Sequence, residues 1–170
     1  MKKVPKAVLV VLLHLAIIGT LYGKYSYERA TRPRVWVKTI GFDPDLPIRG
    51  RYVSLGLEVA TDVPAKAEGD PKYRWYPSAP VHLEIRDGKL FAASDPDGKE
   101  FVTFRDIRET THTILSENVL YFLPEHATDP TRRVGGEELW VEVTLPKKGP
   151  PRPIRLGVKK DGPIEPLQLN

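Results

Sequence analysis

From Arg34 onward, apolar and polar residues alternate along the chain. In Tyr52–Val59, for example, each second residue is Val or Leu, and polar or small residues stand between them. A period of two is typical of a strand that buries one face and exposes the other. Further strands are predicted at Arg34–Thr39, Val81–Arg86, Lys89–Ala93, Glu100–Phe104, Leu139–Leu145, Ile154–Val158 and, as a last short segment, Ile164–Leu169.

Turn residues separate these segments at short spacing. Asp87-Gly88 is a strong two-residue hairpin signal, and Asp95–Gly98 and Asp161-Gly162 predict further turns. The chain has 17 prolines, and the four Asp-Pro dipeptides among them favour turns and stop helices. The pattern predicts an all-β fold, an antiparallel sandwich or barrel of about seven or eight strands. Short helical turns are expected only in Phe104–Leu115 and Thr128–Glu138.

The first 23 residues follow a different pattern. Three lysines precede the apolar run Ala7–Gly23, in which only His14 is strongly polar. This length is at the short end for a bilayer span, about 17–25 residues. A buried core helix and a cleaved signal peptide are the alternatives, but Leu21-Tyr22-Gly23 places a large residue where signal cleavage needs a small one. We therefore favour a retained anchor at residues 1–23, a juxtamembrane linker at 24–33 and a β domain at 34–170.

Basic residues flank this apolar run on both sides. Three lysines and the amino terminus precede it, and five basic residues lie between positions 24 and 38. A count of these charges alone would place the β domain in the cytoplasm. Charge before an apolar run is nevertheless typical of a signal sequence, and large domains cross membranes largely regardless of charge. We therefore expect a single-pass protein of the cytoplasmic (inner) membrane, with its β domain on the extracytoplasmic, periplasmic side and the lipid bilayer as one partner.

His14 is an ionisable residue inside the predicted span. Such residues are functional candidates by default, and a partner for them should be sought. The alternative is a neutral imidazole that hydrogen-bonds to its own helix or to a neighbouring one. Tyr22, Tyr25 and Tyr27, near the end of the span, fit an interfacial aromatic belt.

Charge and cysteine content narrow the possible functions. The chain has a net charge of +4, from 26 basic and 22 acidic side chains, and three of the basic ones lie in the first 23 residues. The remainder is almost balanced, whereas a nucleic-acid-binding domain should carry a strong basic excess, so no nucleic-acid partner is expected. The absence of cysteine excludes disulfides, thiolate metal sites and cysteine nucleophiles.

The segment IRGRYVSLGLEV, residues 48–59, combines the alternation of a strand with residues before it that a strand does not require, Arg-Gly-Arg-Tyr. In a regular strand Leu55 and Leu57 point to the core, and Tyr52 points to the opposite face. Gly50 lies at the end of a proline-rich turn, where glycine permits a positive φ or a close backbone approach. Packing in the core therefore accounts for the two leucines but gives no reason for a tyrosine at position 52.

This segment resembles the motif Gly-Asp-Tyr-x-x-Leu-x-Tyr of the GDYXXLXY family of bacterial proteins. The matching positions are Gly50, Arg51, Tyr52, Leu55 and Leu57, and the lead-in that ends at Arg49 is also similar. A second family block resembles ENVLYFLPEHA, with its matching residues at Tyr121, Phe122, Pro124 and Glu125. The likeness covers roughly residues 1–165. Arg51 stands where Asp is usual, and Leu57 stands where the last Tyr is usual.

The resemblance implies an exported or membrane-anchored protein without an established activity. Its relatives are often encoded beside a multi-spanning membrane protein, which suggests such a protein as a partner. The substitution at Arg51 matters for any role of this position, because Arg only donates hydrogen bonds whereas ionised Asp only accepts them.

Residue types with catalytic potential do not form a recognisable set. His82, His112 and His126 are scattered, and no two histidines have the spacing of a zinc motif. Glu125 beside His126 is a candidate for proton chemistry, and its alternative is a capped turn with two solvated side chains. We therefore expect no catalytic residue, no cofactor and no metal site.

Two further segments are candidates for contacts. Tyr73, Trp75 and Tyr76 form an aromatic cluster in a proline-rich loop, which is either a contact patch or a loop folded onto its own domain. Pro146–Lys160 has six basic residues and no acidic one. It either lies against anionic lipid headgroups or forms a hairpin with a solvated face.

These features lead us to expect a non-enzymatic, membrane-anchored accessory protein that presents a β domain to an integral membrane or envelope partner. One alternative is a domain that binds a small ligand or an envelope polymer, with the aromatic loop as its platform. The other is an enzyme of unrecognised class.

Overall fold

A computed structural model describes residues 5–42, 52–65, 78–107, 110–127, 129–131, 135–147 and 149–169. The chain forms two compact units, Met1–Pro33 and Arg34–Asn170. The first unit contains a helix, and the second contains every strand of the described residues. The second unit is called the β unit below.

Helix α1 runs from Lys6 to Thr31 and has 26 residues. At about 1.5 Å per residue it is about 39 Å long, which exceeds the roughly 30 Å hydrocarbon core of a bilayer. By length and composition it can cross a membrane, and none of its side chains is buried. The helix ends before Pro33, because proline disfavours helical geometry in the residue that precedes it. Most of the stretch predicted as a linker is therefore helical.

The β unit has eleven strands within the described residues. They are β1 (Arg34–Phe42), β2 (Tyr52–Leu57), β3 (Ala60–Thr61), β4 (Ala79–Arg86), β5 (Lys89–Ser94), β6 (Glu100–Ile107), β7 (Thr110–Leu115), β8 (Val119–Phe122), β9 (Glu138–Thr144), β10 (Arg152–Lys159) and β11 (Glu165–Pro166). The sequence pattern missed the short strand β3, because two residues are too few to show a period. It also missed β7 and β8, whereas β11 lies within the predicted last segment Ile164–Leu169.

The strands form two sheets. Sheet 1 has six strands in the order β11-β10-β9-β1-β2-β8, and all its neighbours are antiparallel. Sheet 2 has five strands in the order β3-β5-β4-β6-β7, and only its β3–β5 pair is parallel. The predicted all-β, antiparallel architecture behind an N-terminal helix is confirmed.

One cluster of buried apolar side chains draws on both sheets. Leu55 and Leu57 of sheet 1 and Val81 and Val102 of sheet 2 are each 0% exposed. Residues i and i+2 of a strand share a face, so the alternation along each strand places these residues on the inner side. The two sheets therefore pack face to face around a common core.

The chain passes from sheet 1 to sheet 2 directly after β2. Glu58 forms an isolated bridge with Ile114 of β7, and the Val59 N–H donates to the Thr113 carbonyl at 3.0 Å. The next two residues form β3 at the edge of sheet 2. The end of β2 thus joins the two sheets along one side of the core.

The predicted turns lie where β4 meets β5 and before β6. Asp87 and Gly88 have φ values of 51° and 72°, the left-handed pair that a type I′ hairpin turn requires. In the second turn the Asp95 carboxylate accepts from the Asp97 N–H at 3.0 Å. Asp95 therefore starts this turn through its own side chain, as Asx turns do.

The helical turns expected in Phe104–Leu115 are wrong. The described residues there belong to β6 and β7, which pair from Val102↔Leu115 to Ile107↔Thr110. Thr110, Thr111, Thr113 and Ile114 are β-branched and favour a strand. In Thr128–Glu138 the described residues form turns and the start of β9 instead of a helix.

Candidate functional site

Tyr52 lies on the outer face of sheet 1, as the alternation along β2 predicts. Its neighbour Val53 is 2% exposed and Leu55 is fully buried, whereas Tyr52 is half-buried. The leucines of the motif, Leu55 and Leu57, are core residues and have no accessible surface. Of the described motif residues in β2, Tyr52 is the one whose side chain is available for contacts.

The structure brings the two motif segments together. Strand β8 pairs antiparallel with β2, so Tyr52 lies opposite Phe122 and Val53 lies opposite Tyr121. The Tyr52 and Phe122 ring centroids are 6.1 Å apart, and the ring planes are tilted by 55°. This separation is within the range of favourable aromatic pairs. Two blocks far apart in the sequence therefore form one surface.

We call Tyr52, Leu120 and Phe122 the aromatic patch. Leu120 is 48% exposed and Phe122 is 69% exposed, and both point outward because they alternate with Val119 and Tyr121, which face the core. The Asn118 side-chain amide donates to the Ser54 hydroxyl at 3.0 Å and borders the patch. An exposed apolar group with a polar rim is typical of a protein contact site.

The segment after β8 turns back at the end of the patch. The Ala127 N–H donates to the Pro124 carbonyl at 3.2 Å, and Ala127 is buried while Pro124, Glu125 and His126 are exposed. Both side chains are exposed, which is unlike the buried setting of many catalytic acids and bases. The geometry of Glu125 and His126 matches a solvated turn.

The remaining residues that the sequence singled out as candidates form no functional site within the described residues. Arg49, Gly50, Arg51, Tyr73, Trp75 and Tyr76 lie outside the described residues. His14 donates from Nδ1 to the Val10 carbonyl at 2.8 Å, so its imidazole hydrogen-bonds within its own helix. Pro146–Lys160 contributes the β9–β10 hairpin, and Arg155 in it donates from Nε to a Glu142 carboxylate oxygen at 2.8 Å.

A charged network runs from the outer face of sheet 1 to His112 of sheet 2. The Lys38 ammonium donates to Glu138 Oε1 at 2.7 Å and lies 3.9 Å from Glu58 Oε2. Glu58 Oε1 is bonded to His112 Nδ1 at 2.6 Å, and Glu138 also accepts from Trp140 Nε1 at 3.2 Å. The network therefore links strands β1, β7 and β9 through Glu58 at the end of β2.

The two ends of the Lys38–Glu138 pair hold each other in the ionised form. The hydrogen bond to Glu138 raises the pKa of Lys38, even though partial burial opposes this. The same bond, with the Lys38 charge, holds the pKa of the Glu138 carboxyl below its usual value. Elsewhere, burial and the nearby Glu117 charge raise the pKa of Glu100.

Beside this network is a cavity of about 530 Å³ that the sequence did not reveal. Trp36 and Trp140 line it from sheet 1, and Lys89 lines it from the β4–β5 hairpin. The alternation already placed Trp36 and Trp140 on outer positions of their strands, but it carried no information on which strands are neighbours. Within the described residues no group of three or more histidines and acidic residues is arranged to hold a metal ion.

No family model, curated protein or solved structure matches this chain. The resemblance to the GDYXXLXY family therefore stays a prediction.

Proposed function

We propose that this protein is a non-enzymatic, membrane-anchored accessory protein whose β unit binds an integral membrane partner through the aromatic patch. The observation that carries this proposal is the exposed pair of Phe122 and Leu120 beside Tyr52. Aromatic side chains at the centre of an interface often supply most of its binding energy. Exposure of these apolar side chains to water is unfavourable, and a bound partner removes them from water.

The helix supports a partner in the same membrane. Helix α1 is long and apolar enough to span a bilayer, and it is followed after two residues by β1. A tether of this kind confines the β unit to the membrane surface. Confinement raises the effective concentration of a membrane partner without any additional contact. A modest patch is then sufficient for stable association.

We place the β unit on the extracytoplasmic side of the inner membrane. The basic N-terminus before the apolar helix supports this orientation, because it is the arrangement of a signal sequence. Alkaline phosphatase and green fluorescent protein fused in turn to the C-terminus test it. We expect phosphatase activity and no fluorescence, and the reverse pattern would contradict the orientation.

Phe122→Ala tests the patch itself. We expect it to weaken capture of the partner about thirtyfold, the equivalent of about 2 kcal/mol for a central aromatic contact. The measurement is quantitative affinity purification of the full chain from membranes in mild detergent, followed by titration of the co-purified protein. Stability should change little, because exposed side chains contribute little to folding.

Phe101→Ala is the matched control. Phe101 is 43% exposed but lies on β6 in sheet 2, away from the patch. We expect this variant to recover the same partner as the unmodified chain, and Tyr52→Ala to lose it. Equal recovery by all three variants would contradict the patch as the binding surface.

A further inference from the structure

The cavity beside Trp36 and Trp140 is a second site, separate from the aromatic patch. Its volume of about 530 Å³ lies within the range of small-ligand sites, roughly 300–1,000 Å³. Its walls come from β1, β9 and the start of β5, and Ile164 closes it from the segment before β11. The patch residues Tyr52, Leu120 and Phe122 do not line it.

The walls of this cavity are mainly apolar. The two indoles and Ile164 form the outer part, and the buried core residues Val37, Val59 and Leu90 form its floor. The Trp36 ring is held in place over Gly157, since an added Cβ there would lie 2.9 Å from Trp36 Cζ3. An apolar ligand body would therefore meet preformed apolar walls, as in most small-ligand sites.

The Glu58 carboxylate in the cavity wall has little capacity left to accept hydrogen bonds from a ligand. Glu58 Oε1 is bonded to His112. Glu58 Oε2 is sealed from solvent and lacks a hydrogen-bond partner among the described residues, and the Lys38 ammonium lies 3.9 Å from it. One oxygen of Glu58 is therefore sealed from a ligand, and the other already has a hydrogen-bond partner.

The polar groups that remain available in the cavity are hydrogen-bond donors. A lysine ammonium has three N–H donors and no acceptor. Lys38 gives one of them to Glu138, and Lys89 is exposed and makes no ion pair within the described residues. Lys38 is paired with the Glu138 carboxylate, so Lys89 is the lysine of the lining whose charge remains without an ion pair within the described residues. An acceptor-rich, negatively charged group therefore complements it.

We propose that this cavity binds a small anionic amphiphile, a molecule with an apolar body and a single carboxylate or phosphate group. The apolar body lies against Trp36, Trp140 and Ile164, and the anionic group accepts hydrogen bonds from Lys89. The membrane attachment proposed above keeps the β unit on a chain tethered to lipid, which is a source of such molecules, and to that extent the inference rests on the proposed function. This inference does not depend on the patch or its partner.

Octanoate tests the proposal with the full chain in nanodiscs of neutral lipid. Titration should change the tryptophan fluorescence saturably, beyond the change measured with empty nanodiscs. Lys89→Met should raise the Kd for octanoate about tenfold, since a hydrogen bond to a charged group is lost. Lys99→Met, an exposed lysine outside the cavity, should leave the Kd unchanged. An unchanged Kd in Lys89→Met overturns the proposal.

Three ligands of equal chain length distinguish the head groups. If octyl phosphate binds as tightly as octanoate, either acid group is sufficient. Binding of octanoate alone indicates a ligand with a free carboxylate, and binding of octyl phosphate alone indicates a lipid phosphate. If octyltrimethylammonium binds as tightly as octanoate, the proposal is overturned.

Ala60→Phe tests the location of the site, because it fills the cavity from an exposed position of β3. This variant should abolish binding of both acids while circular dichroism shows the fold intact. Retained binding would overturn the assignment of the site to this cavity.

Discussion

Alanine in place of Leu55 is expected to lower the free energy of unfolding of the β unit by about 3 kcal/mol. Leu55 is 0% exposed and lies in the middle of β2, where it is paired with Gly41 of β1 and Val119 of β8. The substitution removes buried apolar atoms and leaves a cavity that the surrounding strands fill only in part. Denaturant unfolding of the full chain in nanodiscs, followed by tryptophan fluorescence, measures the change.

Leu120→Ala is the control for this variant. It removes the same atoms from the neighbouring strand β8, but Leu120 is 48% exposed. We expect its free energy of unfolding to stay within about 0.5 kcal/mol of the unmodified chain. Equal losses in the two variants would mean that the inner and outer faces of sheet 1 are not as distinct as the structure indicates.

Gly98→Ala is expected to cost about 2–3 kcal/mol of stability. A Cβ at this position would lie 2.4 Å from the Val81 carbonyl oxygen and 2.6 Å from its carbon. Both are backbone atoms of β4, so they cannot move aside as a flexible side chain does. The turn before β6 would have to shift away from β4, where β4 and β6 pair.

Gly135→Ala separates this steric effect from the general effect of removing a glycine. A Cβ at Gly135 would have no neighbour within 4 Å, and its φ is not in the left-handed region. We expect unchanged or slightly higher stability, up to about 1 kcal/mol, because alanine reduces the freedom of the unfolded chain. If both variants lost the same stability, the close approach of Gly98 to Val81 would not be the cause.

These stability effects bear on how the patch can be tested. Phe122 and Leu120 contribute little to the core, whereas Leu55 and Leu57 of the same motif are fully buried. A motif substitution at either leucine would lower recovery of a partner by unfolding the β unit. Substitutions at Phe122 and Tyr52 instead change the outer surface, so they report on binding.

Much of the local structure could be predicted from the sequence. The alternation in Tyr52–Val59 predicted which side chains face the core, because a strand has only two faces. Asp87-Gly88 predicted its hairpin, because few residues adopt two successive left-handed conformations. The prediction failed in Phe104–Leu115, where charged residues interrupt the period and the pairing of β6 with β7 decided the conformation.

The site was less accessible to sequence reasoning. The charged network and the cavity walls combine residues of five strands, and they bring together pairs such as Lys38 with Glu138 and Glu58 with His112. Lys38, Glu138 and His112 are ordinary outward positions in their own strands, and Glu58 follows directly after β2. Their chemistry depends on which strands are neighbours, and a period within one strand does not carry that information.

The sequence by itself determined that this chain has one apolar helix followed by an all-strand unit, and that Tyr52 lies on the outer face of its strand. Those properties follow from local periodicity, which acts over a few residues. Only the tertiary structure decided that Phe122 lies beside Tyr52 and that Trp36, Trp140 and Lys89 share a cavity. Strand order and register are set by the packing of the whole core, so contacts between distant segments arise only when both sheets are assembled.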